Sequence, residues 1–178
     1  TNGRLVVTSA NQSAYHMRRQ VSKALGIPLS KVRVIKPRIG GGFGGKNIAV
    51  TEIYASFVTW MTKRPAKLIY TREETFAMTN TRHQMFFDIK IGADKEGNIK
   101  AIDMKALNNT GAYGDNGPSV CSESGHNVLP TYNNVPAIKF DGRTVYTNLV
   151  PGGALRGYGA TQGTFALDCA IDELAHKL

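Results

Sequence analysis

The chain is 178 residues long, 42% hydrophobic and 20% charged, which fits one soluble globular domain able to bury roughly two thirds of its unfolded surface. No run of about 18 apolar residues occurs, and residues 1–9 lack a basic start, an apolar stretch and a cleavage site, so neither a transmembrane helix nor a signal peptide is expected. The net charge of +9 comes from scattered basic residues without aromatic–basic alternation; it predicts no nucleic-acid or membrane partner, and leaves open an anionic ligand or a basic face against missing acidic segments.

Residues 4–9, with Leu5-Val6-Val7 at the centre, predict a strand. Ala14, Met17, Val21 and Leu25 recur at the spacing of one helix face and predict a helix over 13–25. Gly26 supplies its left-handed stop, with Pro28 just beyond. A second strand over 32–35 runs into Gly40-Gly41-Gly42-Phe43-Gly44-Gly45. Residues 48–61 are apolar on nearly every side, with Glu52 the only charge, and predict a buried helix. A strand over 66–70 precedes Thr71-Arg72-Glu73-Glu74, a capping-box pattern that starts a short helical turn. Met85, Phe87, Ile89 and Ile91 then alternate with polar or outward positions, Asp94 to Asn98 make a turn, and Ile102, Met104 and Ala106 alternate on the return. That is an antiparallel hairpin. Residues 108–136 read as a long irregular connection, 137–148 as a strand, and the last helix starts near Gln162 with Leu167, Ala170, Ile171, Leu174 and Leu178 inward. The fold class expected is α+β: a mixed sheet with an antiparallel hairpin packed against three main helices, forming one domain over 1–178.

Cys121 and Cys169 form no CxxC pattern, which argues against a disulfide scaffold, a zinc site or a self-contained iron–sulfur centre and favours a reducing, cytoplasmic compartment. His16, His83, His126 and His176 show no metal-ligand spacing and are taken as structural or surface residues.

Strand, GGGFGGK and helix in succession make a good place for an anion, because glycines let backbone N–H groups approach closely. Gly40, Gly45 and Lys46 fit most of the P-loop pattern, but Asn47 stands where magnesium needs a Ser or Thr hydroxyl. Gly40, Gly42 and Gly45 also fit GxGxxG, but the acidic residue about twenty positions on is missing. A nucleotide-binding domain using this loop for phosphate is the alternative reading, and a non-catalytic interaction module a third.

Phe43 belongs to neither phosphate pattern. GGGFGGK resembles the signature loop of the xanthine dehydrogenase and aldehyde oxidase family of molybdenum hydroxylases. Ser9-Ala10-Asn11-Gln12 is similar to the family's strand-end Gln, at the family's spacing from Phe43. Leu155-Arg156-Gly157-Tyr158-Gly159-Ala160-Thr161-Gln162 resembles its second signature, [FY]RG[FY]GxPQ, with Leu155 and Thr161 departing from the usual aromatic and Pro. These two departures predict modest local adjustment. The Arg72-Glu73-Glu74 segment and the hairpin after Arg82-His83 fit as well, so the resemblance runs from about Arg4 to Leu178.

The resemblance implies the first molybdenum-cofactor-binding domain of a longer catalytic subunit. Gln12, Gly42, Phe43, Gly44 and Arg156 are then cofactor-binding, with Gln12, Phe43 and Arg156 contacting oxygens on molybdenum around one converging centre. Asn47 and Tyr158 face substrate, and Lys46 anchors the loop. The chemistry suits those residue types: a high-valent metal with oxo groups calls for hydrogen-bond donors, which an amide, backbone N–H groups and a guanidinium supply. The implied cofactor is molybdopterin in its cytosine dinucleotide form, with [2Fe–2S] centres and FAD on partner domains or subunits. The implied reaction is oxidative hydroxylation of an aromatic N-heterocycle or aldehyde with water as oxygen source. The family's catalytic Glu lies beyond Leu178, so no base is assigned here, and neither Glu123 nor Glu173 substitutes for it. The fragment alone is expected to be inactive and to hold the cofactor poorly. Purine-oxidising members carry Glu where this chain has Asn47, and an Arg in the region matching 121–126, which here has none; a substrate other than purine is therefore expected.

Overall fold

The computed structural model describes residues 3–178, and the chain forms two compact units, residues 1–79 and 80–178. Each is described by itself.

In the first unit, β1 (Leu5–Thr8) pairs in parallel with β2 (Val32–Ile35), in register from Leu5 opposite Val32 to Thr8 opposite Ile35. A parallel pair needs a crossover, and α1 (Ala14–Leu25) provides it. Ser13 caps α1 by accepting from the His16 N–H at 3.4 Å, and Gly26 ends it at φ 65°, as the residue types predict. Met17 and Val21 on its inner face join Leu5, Val7 and Val32 in a closed core, each side chain contributing about 1.5–3 kcal/mol by burial.

The second apolar helix differs from its sequence reading twice. α2 runs Glu52–Thr62 instead of starting at 48, because the Ala49 N–H donates to Gln20 Oε1 at 2.6 Å and the Val50 N–H to Glu52 Oε2 at 2.9 Å. Those amides are committed before the helix begins. Nor is α2 buried: only Ser56 is, while Phe57 and Met61 are 55% and 64% exposed. One face packs on β1 and α1 and the opposite apolar face meets solvent. Residues 66–70 form no strand: they have no ladder partner among the described residues, and Ile69 is 70% exposed. The capping box does form, with the Glu74 N–H donating to Thr71 Oγ1 and the Thr71 N–H to Glu74, opening α3 (Arg72–Met78).

The second unit holds the mixed sheet in the order β3-β4-β5. β3 (Gln84–Ala93) and β4 (Ile99–Asn109) make the antiparallel hairpin, and β5 (Ala137–Val145) lies parallel to β4. Ile102 and Met104 are buried with Val128, Leu129 and Leu167, and Phe87, Ile89 and Ile91 pack against them, so the alternation reads out as predicted.

The connection at 108–136 is not irregular throughout. It contains α4 (Gly117–His126), with Pro118 in its first turn, and a 3-10 turn at 129–132. Small residues hid this helix: Gly117, Ser124 and Gly125 are buried in it beside Val120 and Cys121, too few apolar positions to make a stripe. α5 (Ala160–Ala175) buries Leu167, while Leu178 falls beyond the helix end and is exposed. Gly159 and Gly163 bring α5 onto α4, since a Cβ on either would run into the Val120 or Ser124 backbone. Cys121 and Cys169 are free. Among the described residues no helix is long and apolar enough to cross a membrane.

Candidate functional site

The first candidate corner is built by β1, α1 and the glycine loop. Gln12 sits between the end of β1 and the cap of α1, and its backbone N–H donates to the Lys46 carbonyl at 2.9 Å. Its side-chain Oε1 accepts from the Gly44 N–H at 2.9 Å and the Lys46 N–H at 3.1 Å. Lys36 Nζ donates to the Gln12 carbonyl at 3.3 Å. Gly42 must be glycine here, because a Cβ would overlap the Gln12 side chain. With Oε1 occupied twice, the Nε2 amide is the end left to donate, and among the described residues it meets no acceptor.

Phe43 occupies left-handed backbone at φ 48° and is 63% exposed. An aromatic residue in that region costs roughly 1–3 kcal/mol and persists only where its surroundings enforce it. Asn47 is half-buried at the loop exit. Lys46 anchors the loop through its backbone, as expected.

This geometry removes the basis of the phosphate reading. The Gly44 and Lys46 N–H groups are taken by Gln12 and the Gly45 N–H by the Gly42 carbonyl at 2.8 Å. The loop does not open a helix either, since α2 starts at Glu52. A phosphate cradle needs those amides pointing outward at a helix N-terminus. Gly44, expected to offer its own N–H to the cofactor, instead spends it on holding Gln12.

Glu52 is a supporting residue that the motifs do not point to, although a lone charge on an apolar helix is a signal. Its carboxylate accepts from the Ser9 hydroxyl and the Val50 N–H, tying the strand end before Gln12 to α2. A groove of about 370 Å³ lies along β1 and α2, lined by Ser9, Glu52, Ser56 and Leu68 among others, but by none of Gln12, Phe43 or Asn47.

The second corner is the turn at 155–159. Gly157, Tyr158 and Gly159 all hold positive φ, at 91°, 50° and 102°. The Tyr158 N–H donates to the Leu155 carbonyl at 2.7 Å and the Ala160 N–H to the Gly157 carbonyl at 2.9 Å, closing the turn onto α5. Arg156 is exposed and Tyr158 half-buried. The Arg156 carbonyl accepts twice, from Arg82 Nη2 at 2.7 Å and Thr161 Oγ1 at 3.3 Å. Thr161, which departs from the signature's usual Pro, thus donates into the turn.

Behind it, Arg82 Nη1 donates to Gln162 Oε1 at 3.3 Å and Gln162 Nε2 to the His83 carbonyl at 3.1 Å. His83 is 3% exposed; burial pushes its imidazole below the ordinary value of 6.5, opposed in part by the Gly153 backbone. Glu123 and Glu173 take no part: Glu123 accepts from Asn127, and Glu173 is exposed on α5. The segment at 121–126 is the second half of α4, where Ser122 and His126 bond each other at 2.8 Å.

Gln12, Gly42, Phe43, Gly44 and Asn47 thus lie in or beside one loop of the first unit, and Arg156 and Tyr158 in one turn of the second. Among the described residues no group of three His, Cys, Asp or Glu is placed to ligate a metal. Each corner, taken by itself, combines hydrogen-bonding groups, one aromatic residue and left-handed backbone.

Comparison with known proteins shows the family: the chain belongs to the molybdopterin cofactor-binding domain family, which it matches over residues 1–178. It is 40% identical over 178 residues to the putative xanthine dehydrogenase molybdenum-binding subunit XdhA of Escherichia coli (strain K12), covering 99% of this chain and 24% of that one. It is 35% identical over 176 residues to the nicotinate dehydrogenase large molybdopterin subunit of Eubacterium barkeri, covering 99% of this chain and 41% of that one. Among solved structures it is similar to the aldehyde oxidoreductase of Desulfovibrio gigas, with a TM-score of 0.90 at 27% identity over 99% of this chain and 19% of that one. The chain therefore spans between about a quarter and two fifths of these curated relatives.

Proposed function

We propose that this chain is the part of a molybdenum hydroxylase catalytic subunit that meets the oxygen face of the metal centre. The observation that carries the reading is Gln12: its Oε1 already accepts two loop N–H groups, so what the side chain has left to give is its Nε2 donor. Donors, not further acids, suit an anionic oxo-bearing cofactor. Bound there, molybdopterin in its cytosine dinucleotide form supplies the oxidising centre for hydroxylation with water as oxygen source.

The protein groups orient and polarise. Gln12 Nε2 and the Arg156 guanidinium would hold the cofactor by donating to its oxygens, and Phe43, with Gly42 and Gly44, would shape the loop that receives it. Tyr158 and Asn47 face a planar substrate, Asn47 by hydrogen bonding a ring nitrogen or carbonyl. With Asn47 neutral and no Arg in residues 121–126, the substrate is an aromatic N-heterocycle or aldehyde other than a purine. The base, [2Fe–2S] centres and FAD belong to the rest of the subunit and its partners, in a cytoplasmic assembly.

The test is made on the full-length subunit expressed in a host that makes the cofactor. Stoichiometric molybdenum is expected, and Arg156→Ala should lower kcat by about 100-fold or more, the usual cost of removing one charge-stabilising donor. A protein without molybdenum, or unchanged turnover in Arg156→Ala, sinks the reading.

A further inference from the structure

We propose that Arg82 is a positioning residue for Arg156, a role that rests on Arg156 facing the cofactor. Arg82 stands two residues before β3, outside both signature motifs. Its guanidinium forks across the second signature: Nη2 takes the Arg156 carbonyl at 2.7 Å, and Nη1 takes Gln162 Oε1 at 3.3 Å at the start of α5. Gln162 closes the ring by donating to the His83 carbonyl at 3.1 Å, one residue from where the ring began. Among the described residues the Arg82 guanidinium meets no carboxylate. It donates to neutral acceptors on the motif, so it is not a surface arginine held in an incidental ion pair.

The neighbouring residues hold the other end of the same segment. The Thr81 N–H donates to the Pro151 carbonyl at 3.2 Å, and the Gly153 N–H donates to the Thr81 carbonyl at 2.9 Å. The His83 ring fills the space where a Cβ on Gly152 would stand. Residues 80–83 therefore back the whole stretch from Pro151 to Gln162, and Arg82 is the contact nearest the functional side chain.

The turn needs such a hold. Three successive residues with positive φ, one of them Tyr158, do not stay left-handed unaided. Fixing the Arg156 carbonyl fixes the peptide plane from which the Arg156 side chain departs. A displacement of about 1 Å at the base of a functional side chain can cost about 100-fold in rate, so a clamp there governs the site without touching it.

The experiment uses the full-length, molybdenum-loaded enzyme with R82A, R82K and R156A. Two readouts are taken: hydrogen exchange of residues 155–162, and the Mo(V) EPR spectrum generated with dithionite. R82A is expected to keep its molybdenum within about twofold, to exchange about tenfold faster in that segment, and to show an EPR spectrum shifted as in R156A. R82K should restore part of the wild-type spectrum, since one ammonium reaches one of the two acceptors. Faster exchange in R82A with a wild-type spectrum overturns the proposal, because a purely structural clamp predicts that result. A wild-type spectrum in R156A removes the reading of Arg156 and this inference with it. An altered R156A spectrum beside an unaltered R82A spectrum removes this inference alone. Should R82A lose its molybdenum, R82Q is judged by the same two outcomes.

Discussion

The glycine loop at 40–47 and the turn at 155–159 look alike as sequence, glycine-rich with one aromatic, and both set that aromatic at φ close to 50°. They are secured from opposite ends of the peptide group. In the loop, amides are gathered by an acceptor, Gln12 Oε1, which takes the Gly44 and Lys46 N–H groups. In the turn, a carbonyl is gathered by donors, Arg82 and Thr161, which meet at the Arg156 oxygen. The difference teaches what each corner has left to offer. An acceptor used to hold a loop still carries the donor end of its own amide; a carbonyl held by donors belongs to the backbone and commits no atom of the Arg156 side chain.

Gln12 gives the largest effect expected from breaking this contrast. In the full-length subunit, Gln12→Ala leaves two amides without their acceptor, a loss of about 2 kcal/mol in local stability, seen as faster hydrogen exchange over 40–47. Gln12→Glu keeps an acceptor for both amides and removes only the outward donor. It should therefore leave exchange close to wild type while lowering cofactor retention. Equal exchange in the two variants would show that the loop is not held by Oε1.

Most of this architecture was legible in the residues. The caps at Ser13 and Gly26, the capping box at Thr71 and the period-2 face of Met85 to Ile91 each have a local physical cause and appear where the pattern puts them. What escaped was either small or long-range. α4 buries Gly117, Ser124 and Gly125 beside Val120 and Cys121, too few apolar residues to show a period, so its helical character lies in packing against α5, β4 and β5. Residues 66–70 have strand composition, but a strand exists only with a partner, and sequence does not say whether one arrives. For the candidate site, the motifs stand in the sequence and the residues that support them do not: Arg82 and Gln162 are 80 positions apart when they bond. The sharpest available clue was Glu52, a single carboxylate on an otherwise apolar helix, which proves to bind Ser9 just before Gln12.

A middle-sized effect separates the two corners by pH. His83 underlies only the second, and burial lowers its folded-state value below 6.5. Between that lowered value and 6.5 the unfolded chain binds a proton that the folded chain refuses, so stability is full above 6.5 and declines as pH falls. The slope is at most about 1.4 kcal/mol per pH unit. Hydrogen exchange of the full-length subunit, corrected for the intrinsic effect of pH, should show residues 151–154 losing protection on acidification below 6.5, with residues 40–47 unaffected. His83→Phe should flatten that dependence. Parallel acid sensitivity at both corners would mean that His83 is not its source.

The smallest effect concerns Thr161, and it ranks the two donors on one oxygen. Thr161→Val preserves shape, with a methyl in place of Oγ1, and removes only the 3.3 Å hydrogen bond to the Arg156 carbonyl. That bond is exposed, neutral and longer than the 2.7 Å bond from Arg82, so its loss should cost about 0.5 kcal/mol. The Arg156 carbonyl keeps its charged donor, the turn keeps its left-handed residues, and turnover should fall by about twofold or less. Exchange over 155–162 should rise correspondingly little, well short of the tenfold expected when Arg82 is removed. A Thr161→Val loss as large as that of Arg82→Ala would place the hold on the turn in the hydroxyl of the second residue of α5. The guanidinium would then be a bystander, and the contrast between an acceptor-held loop and a cation-held turn would fail at its second half.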